Sequence, residues 1–157
     1  MSNKIEIFSL NKKFEKLEKD VGSVVQKILK ILKKDGLGVE VYLADNNRMR
    51  LLNKKFRGKD KAANVLSFEE PWNFIYPPRQ GKVQKTKKIG EIYLNADQCG
   101  LDMEQLGKSQ RESVFSQYQS VLLVVHGLLH LLGYDHGKKD DRMRMEKKEK
   151  EILLKYN

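Results

Sequence analysis

The run from Val121 to Leu132, VLLVVHGLLHLL, constrains this chain more than any other part of it. It reads as the last third of a helix spanning Ser109 to Leu132, and that third is apolar almost all round. Such a helix has to be buried on every side, so the remaining elements must wrap it. The run is interrupted by His126 and His130 and is too short to cross a bilayer. With 157 residues the chain can bury one sizeable core and has little room for a second. One domain covering residues 1–157, without membrane insertion, is the expectation.

Periodicity supplies the elements that do the wrapping. Lys4 to Ser9 alternates like a strand. Phe14, Leu17, Val21, Val24, Val25, Ile28 and Leu32 recur every three or four residues and predict an amphipathic helix, ended by Gly36 and Gly38. Val39, Val41 and Leu43 alternate as a second strand, after which Asp45 or Asn46 can cap a short helix through Asn53. Ala63 to Phe68 and Gly90 to Leu94 predict two more strands. Between them, Pro71 to Lys88 holds all three prolines with Trp72, Phe74, Tyr76, Arg79 and four lysines, and reads as an exposed excursion. Asp140 or Asp141 can cap a charge-laced final helix to about Tyr156, with Met145, Ile152, Leu153 and Tyr156 docking on the core. These elements predict an α+β domain in which a small mixed sheet packs with helices.

Charge is distributed unevenly. The formal net charge is +10, an excess that points to a polyanionic partner. Between Arg48 and Lys88 there are 12 Lys or Arg against three acids, whereas the rest of the chain carries 19 basic and 18 acidic side chains. Solvated surface lysines would not concentrate the imbalance in one stretch, so that stretch is expected to face phosphates. Lys54, Lys55, Arg57, Lys59 and Lys61 lie within it. The single cysteine, Cys99, excludes an internal disulfide and fits a reducing cytosol. The start MSNKIEIFSL lacks the unbroken apolar core of a signal peptide, so a cytoplasmic location is expected.

All three histidines fall in VVHGLLHLLGYDH. His126 and His130 are four apart and share one helix face. Gly133 can stop the helix, and the reversal through Gly133, Tyr134 and Asp135 can return His136 to the first two rings. Three neutral imidazoles converging in this way make a tripod for one metal ion, with zinc the natural choice. A fourth protein ligand is not in evidence unless Cys99 supplies it, and an open fourth position marks a catalytic site. Bound zinc lowers the pKa of its water to about 7 and can polarise a phosphoryl oxygen. The helix is similar to the H-E-x-x-H pair of zinc peptidases, but Gly127 stands where their general-base Glu would be. That disfavours peptide hydrolysis, which needs a strong proton shuttle, more than phosphodiester cleavage.

HGLLHLLGYDH resembles the signature H-G-x-L-H-L-x-G-Y-D-H of the YbeY family of bacterial metal-dependent endoribonucleases, matching every specified position. Leu52-Asn53-Lys54-Lys55-Phe56-Arg57-Gly58-Lys59-Asp60 and Asn64-Val65-Leu66-Ser67-Phe68 resemble its second block, and Gly90-Glu91-Ile92 its G-[DE]-I strand start. Ala62-Ala63 stand where the family usually has Pro-Thr, so the loop after Arg57 lacks that proline. The resemblance implies an α+β fold related to zinc peptidases, with a zincin-like metal-binding helix. It implies action on single-stranded RNA in ribosomal RNA maturation, at the 3′ end of the 16S RNA, and in ribosome quality control. His126, His130 and His136 match the family's ligands for one zinc ion. Arg57 matches its phosphate-facing arginine, and a planar guanidinium suits that task.

The expected catalytic residues are therefore Arg57 and the ligand His126. The expected partners are single-stranded rRNA and the ribosome or its small-subunit precursor. Asp135 either orients a histidine or only forms the turn. Trp72 or Tyr76 could stack a base. A non-catalytic rRNA-binding assembly factor with a structural metal is the rival reading, and a zinc metallopeptidase the weaker one.

Overall fold

In the computed structural model, described over residues 2–71, 86–97 and 110–156, with side chains of the long helix from Val121 onward, four strands form one mixed sheet. Strand β1 spans Lys4–Ser9 and leads through a 3₁₀ turn, Lys12–Leu17, into helix α1, Glu18–Ile31. Then come β2, Leu37–Ala44, and helix α2, Asn46–Arg57. Strands β3, Val65–Glu69, and β4, Lys87–Asn95, precede helices α3, Gln110–Leu131, and α4, Lys139–Tyr156. The strand order is β1-β2-β4-β3. β1 and β4 both run parallel to β2, and β3 runs antiparallel to β4 as an edge strand. No described helix is long and apolar enough to cross a membrane.

Alternation along the strands sorts residues onto two faces. Val39, Val41, Leu43, Ile92 and Leu94 face α1, α3 and α4 in the main core. Val124, Val125, Leu128 and Leu129 of α3 are buried at 3% exposure or less, as the apolar run demands. Met145, Ile152 and Leu153 dock α4 onto the same core, as expected from its spacing. On the opposite face Ala44, Met49 and Leu66 form a smaller cluster under α2, with Phe68 and Tyr93 packed against it.

Several boundaries differ from the sequence expectation. The first helix opens as a 3₁₀ turn because the Asn11 side chain accepts from the Lys13 backbone N–H, and the turn places Phe14 and Leu17 together in the core. It ends before Gly36, with Lys33 at φ 56° bonding back to Lys30, and Gly38 belongs to β2. Asp45 is the cap of α2, accepting from the Arg48 N–H at 2.9 Å. That helix continues past Asn53 to Arg57, so Lys54, Lys55 and Arg57 are helical and not on a loop. Basic residues in a last helical turn complement the negative end of the helix dipole, which favours the extension. α4 starts at Lys139, with Asp140 and Asp141 in its first turn. Strands β3 and β4 begin two residues later and three earlier than their sequence signals. Trp72, Phe74, Tyr76 and Cys99 lie outside the described residues.

Candidate metal centre

The apolar faces of α3 are pinned by the sheet and by α4, which leaves His126 and His130 on its remaining, half-buried side. Gly133, at φ 99°, breaks the helix just after them, where its N–H bonds to the His130 carbonyl. The reversal carries His136 back to the other two rings, with ring centroids 4.8 Å from His130 and 5.4 Å from His126. One nitrogen from each of the three residues lies within 4.8 Å of the others.

Hydrogen bonds set the tautomers. His126 Nδ1 is 2.8 Å from Glu149 Oε1 on α4, and His130 Nδ1 is 3.0 Å from the Tyr134 carbonyl. Carboxylates and carbonyls only accept, so each Nδ1 carries a proton, and in the neutral ring each Nε2 presents a lone pair. Those two Nε2 atoms face each other at 3.1 Å. Two neutral rings so placed leave two lone pairs that one shared cation can bridge. Burial, followed by the neighbouring His126 and His136, holds the His130 pKa below the ordinary 6.5 and disfavours a proton there. Two nitrogens each about 2.0–2.1 Å from one ion lie about 3.3 Å apart at a tetrahedral angle. The His126–His130 pair therefore fits a metal ion on both chemistry and spacing, with a third nitrogen, from His136, within 4.8 Å of both.

Glu149 was invisible in the sequence: it is one of five acids in α4 and has no local mark of its own. By bonding Nδ1 it fixes the orientation of the His126 ring and aims Nε2. Glu149→Ala is expected to weaken metal binding by roughly 10–100-fold, and Glu149→Gln by less, since an amide oxygen still accepts the bond. Competition against a chromophoric chelator checks this; unchanged affinity would mean that Glu149 serves packing only. Asp135 uses its carboxylate to accept from the His136 backbone N–H at 2.7 Å, so its bond goes to the main chain and not to a ring.

The depressed His130 pKa also makes a stability statement. A neutral imidazole in the folded state binds fewer protons than in the unfolded chain, so its contribution is present above pH 6.5 and is lost as pH falls through that value toward the folded pKa. Metal-free protein should show a lower urea midpoint at pH 5.5 than at pH 7.5, and His130→Gln should flatten that difference.

Gly127 packs against the sheet. A Cβ there would meet Ile92 Cγ2 at 3.1 Å and Ser67 Oγ at 3.3 Å. A carboxylate following His126 would therefore point into β4, which gives the missing peptidase base a steric reason. Ser67 Oγ instead donates to the Gly127 carbonyl at 3.3 Å, tying edge strand β3 to the histidine-bearing helix.

Arg57 ends α2 exposed, and Lys54, Lys55, Lys59 and Lys61 are likewise exposed. Among the described residues no carboxylate is paired with any of these five within 4 Å. Two other cations of the basic stretch are engaged, a correction to reading all of it as phosphate-facing. Arg50 bonds Asp60 at 2.7 Å, and Lys88 sits 3.1–3.2 Å from Glu40, Glu70 and Glu91. Without the family's proline, the loop after Arg57 is held by buried asparagines: Asn53 Nδ2 donates to the Lys61 carbonyl at 2.8 Å and Asn95 Nδ2 to the Ala63 carbonyl at 3.3 Å.

A family model described as Endoribonuclease YbeY matches residues 2–157. The chain is 33% identical over 138 residues to an Endoribonuclease YbeY of Sulfurihydrogenibium sp., covering 87% of this chain and 78% of that one. It is 38% identical over 120 residues to its counterpart in Nitratiruptor sp., covering 76% and 69%. To that of Thermoanaerobacter sp. it is 30% identical over 161 residues, covering 99% and 92%. The solution structure of TM1509 from Thermotoga maritima is similar with a TM-score of 0.49 and 26% identity, over 97% of this chain and 91% of that one. With the match running through both the histidine motif and the Arg57 block, this chain belongs to the YbeY endoribonuclease family.

Proposed function

We propose that the chain is a single-domain, zinc-dependent endoribonuclease of the cytoplasm that cleaves single-stranded ribosomal RNA, acting on the ribosome or its small-subunit precursor in 16S 3′-end maturation and ribosome quality control. The observation that carries the reading is the trio of histidine nitrogens within 4.8 Å, two of them with opposed lone pairs. A zinc ion held by His126, His130 and His136 supplies Lewis acidity toward a phosphate oxygen or a water molecule. Around it, the chain's own residues bind and orient the substrate. Arg57 offers two parallel N–H donors to a phosphate and offsets charge as the bond to phosphorus rearranges. Lys54, Lys55, Lys59 and Lys61 hold the flanking backbone. Glu149 keeps the proton of His126 on Nδ1, and Asp135 positions His136 through its main chain.

The test is cleavage of a single-stranded rRNA oligonucleotide by purified protein, removed by a chelator and restored by zinc. Binding without cleavage under every metal condition would favour the assembly-factor reading. Affinity should also depend on salt. If about four of the exposed cations meet phosphates, the log–log slope is near −3 and affinity falls roughly fiftyfold between about 50 and 200 mM salt. A flat response would remove these cations from the interface.

A further inference from the structure

Phe56 is an aromatic side chain that protein packing leaves largely bare. It is 56% exposed although it sits between Lys55 and Arg57 in the last turn of α2. The ring is nevertheless fixed. It meets Phe68 of β3 edge-on at 5.3 Å, Phe68 meets Tyr93 at 5.7 Å, and Tyr93 stacks on Tyr42 at 4.6 Å. The array continues to Phe8 at 5.2 Å, so the platform is anchored across the whole sheet. The backbone beneath it is held as well, by the N–H of Gly58 bonding back to Lys54 and that of Lys59 to Asn53.

Its surroundings are cationic. The Lys55 ammonium lies 5.4 Å from the Phe56 ring centroid, within cation–π range. Lys54, Arg57, Lys59 and Lys61, all within five residues of it in sequence, are exposed, and the one acid of this turn, Asp60, is held by Arg50. A braced, exposed ring among cations that, among the described residues, have no carboxylate partner is the combination that binds single-stranded nucleic acid, because every base has a face to stack and every nucleotide a phosphate to pair. Among the described residues, edge strand β3 lies between this ring and the histidine-bearing helix. Phe68 carries the ring on one face of β3, and the adjacent Ser67 bonds Gly127 beside His126 on the other.

We infer that Phe56 is a base-stacking platform that grips one nucleobase of the single-stranded RNA, while the cations beside it hold the flanking phosphates and the strand passes over the β3 edge to the histidine centre. This inference rests on the ribonuclease reading above and adds to it a substrate-positioning residue. Stacking is tolerant of sequence, so the residue selects unpaired over paired RNA and does not select a particular base.

The test uses a single-stranded oligouridylate carrying one 2-aminopurine, mixed in a stopped-flow with zinc-loaded protein so that binding is read before cleavage. Wild type and Phe56→Tyr should quench the 2-aminopurine through stacking. Phe56→Leu keeps an apolar contact with Phe68 but offers no π face. It should lose the quench and bind roughly 5–150-fold more weakly, the range expected when one stacked base is lost. Leu51→Ala removes the other exposed apolar side chain of α2, 64% exposed, and should match wild type. Equal quenching and affinity in Phe56→Leu and wild type would overturn the inference while leaving the ribonuclease reading standing. A wild type that neither binds nor cleaves the RNA would overturn both. Circular dichroism of each variant separates these results from misfolding.

Discussion

His130→Ala is expected to lower RNA cleavage by at least roughly a thousandfold while the protein remains folded. The substitution removes one of three converging nitrogens and leaves His126 Nε2 without its neighbour at 3.1 Å. Charge stabilisation by a bound ion is worth several kcal/mol, and each 1.36 kcal/mol is about a tenfold change in rate. The structural cost is smaller. The imidazole is half-buried, and losing its bond to the Tyr134 carbonyl costs about 1 kcal/mol. Metal content should fall below that of the wild type in the variant, with the circular dichroism spectrum unchanged. Equal cleavage by both proteins would identify a contaminating nuclease, and the histidine cluster would then be a structural site.

Gly90→Ala should produce the largest loss of stability among single-methyl additions. Gly90 sits at φ 152°, directly after the irregularity where β4 gains one residue against Gly38 and Val39. A Cβ there would lie 2.3 Å from the Phe68 carbonyl oxygen and 2.6 Å from Leu131 Cδ2. The carbonyl belongs to the neighbouring strand and cannot retreat without opening the β3–β4 ladder. Backbone strain of about 1–3 kcal/mol adds to a comparable overpacking term, against a typical total stability of about 5–15 kcal/mol. A fall of roughly 3–5 kcal/mol in urea unfolding is expected, with weakened metal binding, because Leu131 follows His130. A wild-type midpoint would show that the strand edge can yield. The clash also gives a physical reason for the glycine in the Gly90-Glu91-Ile92 motif.

These two residues mark different levels of legibility. His130 could be read locally: four-residue spacing on an apolar helix and a glycine stop are properties of a short segment, and helix geometry alone brings the first two rings together. Gly90 was legible only as a strand start, because what forbids a side chain there comes from Phe68 and Leu131, distant in sequence. Arg57 was found through its motif, yet its place at the end of a helix depended on the stop at Gly58, whose N–H bonds back to Asn53 and Lys54.

What the sequence determined by itself is therefore whatever periodicity and local caps encode. That covers the buried C-terminal part of α3, the amphipathic α1 and α4, the alternating strands, the histidine trio and the concentration of positive charge before residue 88. What only the tertiary structure decided is which distant groups meet. Glu149 rather than Asp140, Asp141, Glu146 or Glu151 reaches His126. Asn53 and Asn95 hold the loop in place of a proline, Lys88 turns inward to three carboxylates, and Phe56 is braced on Phe68. The physical reason is that a helix or strand fixes neighbours three, four or two residues apart. Contacts between elements depend on how α3 and α4 pack and how β3 registers on β4, and no local pattern records either.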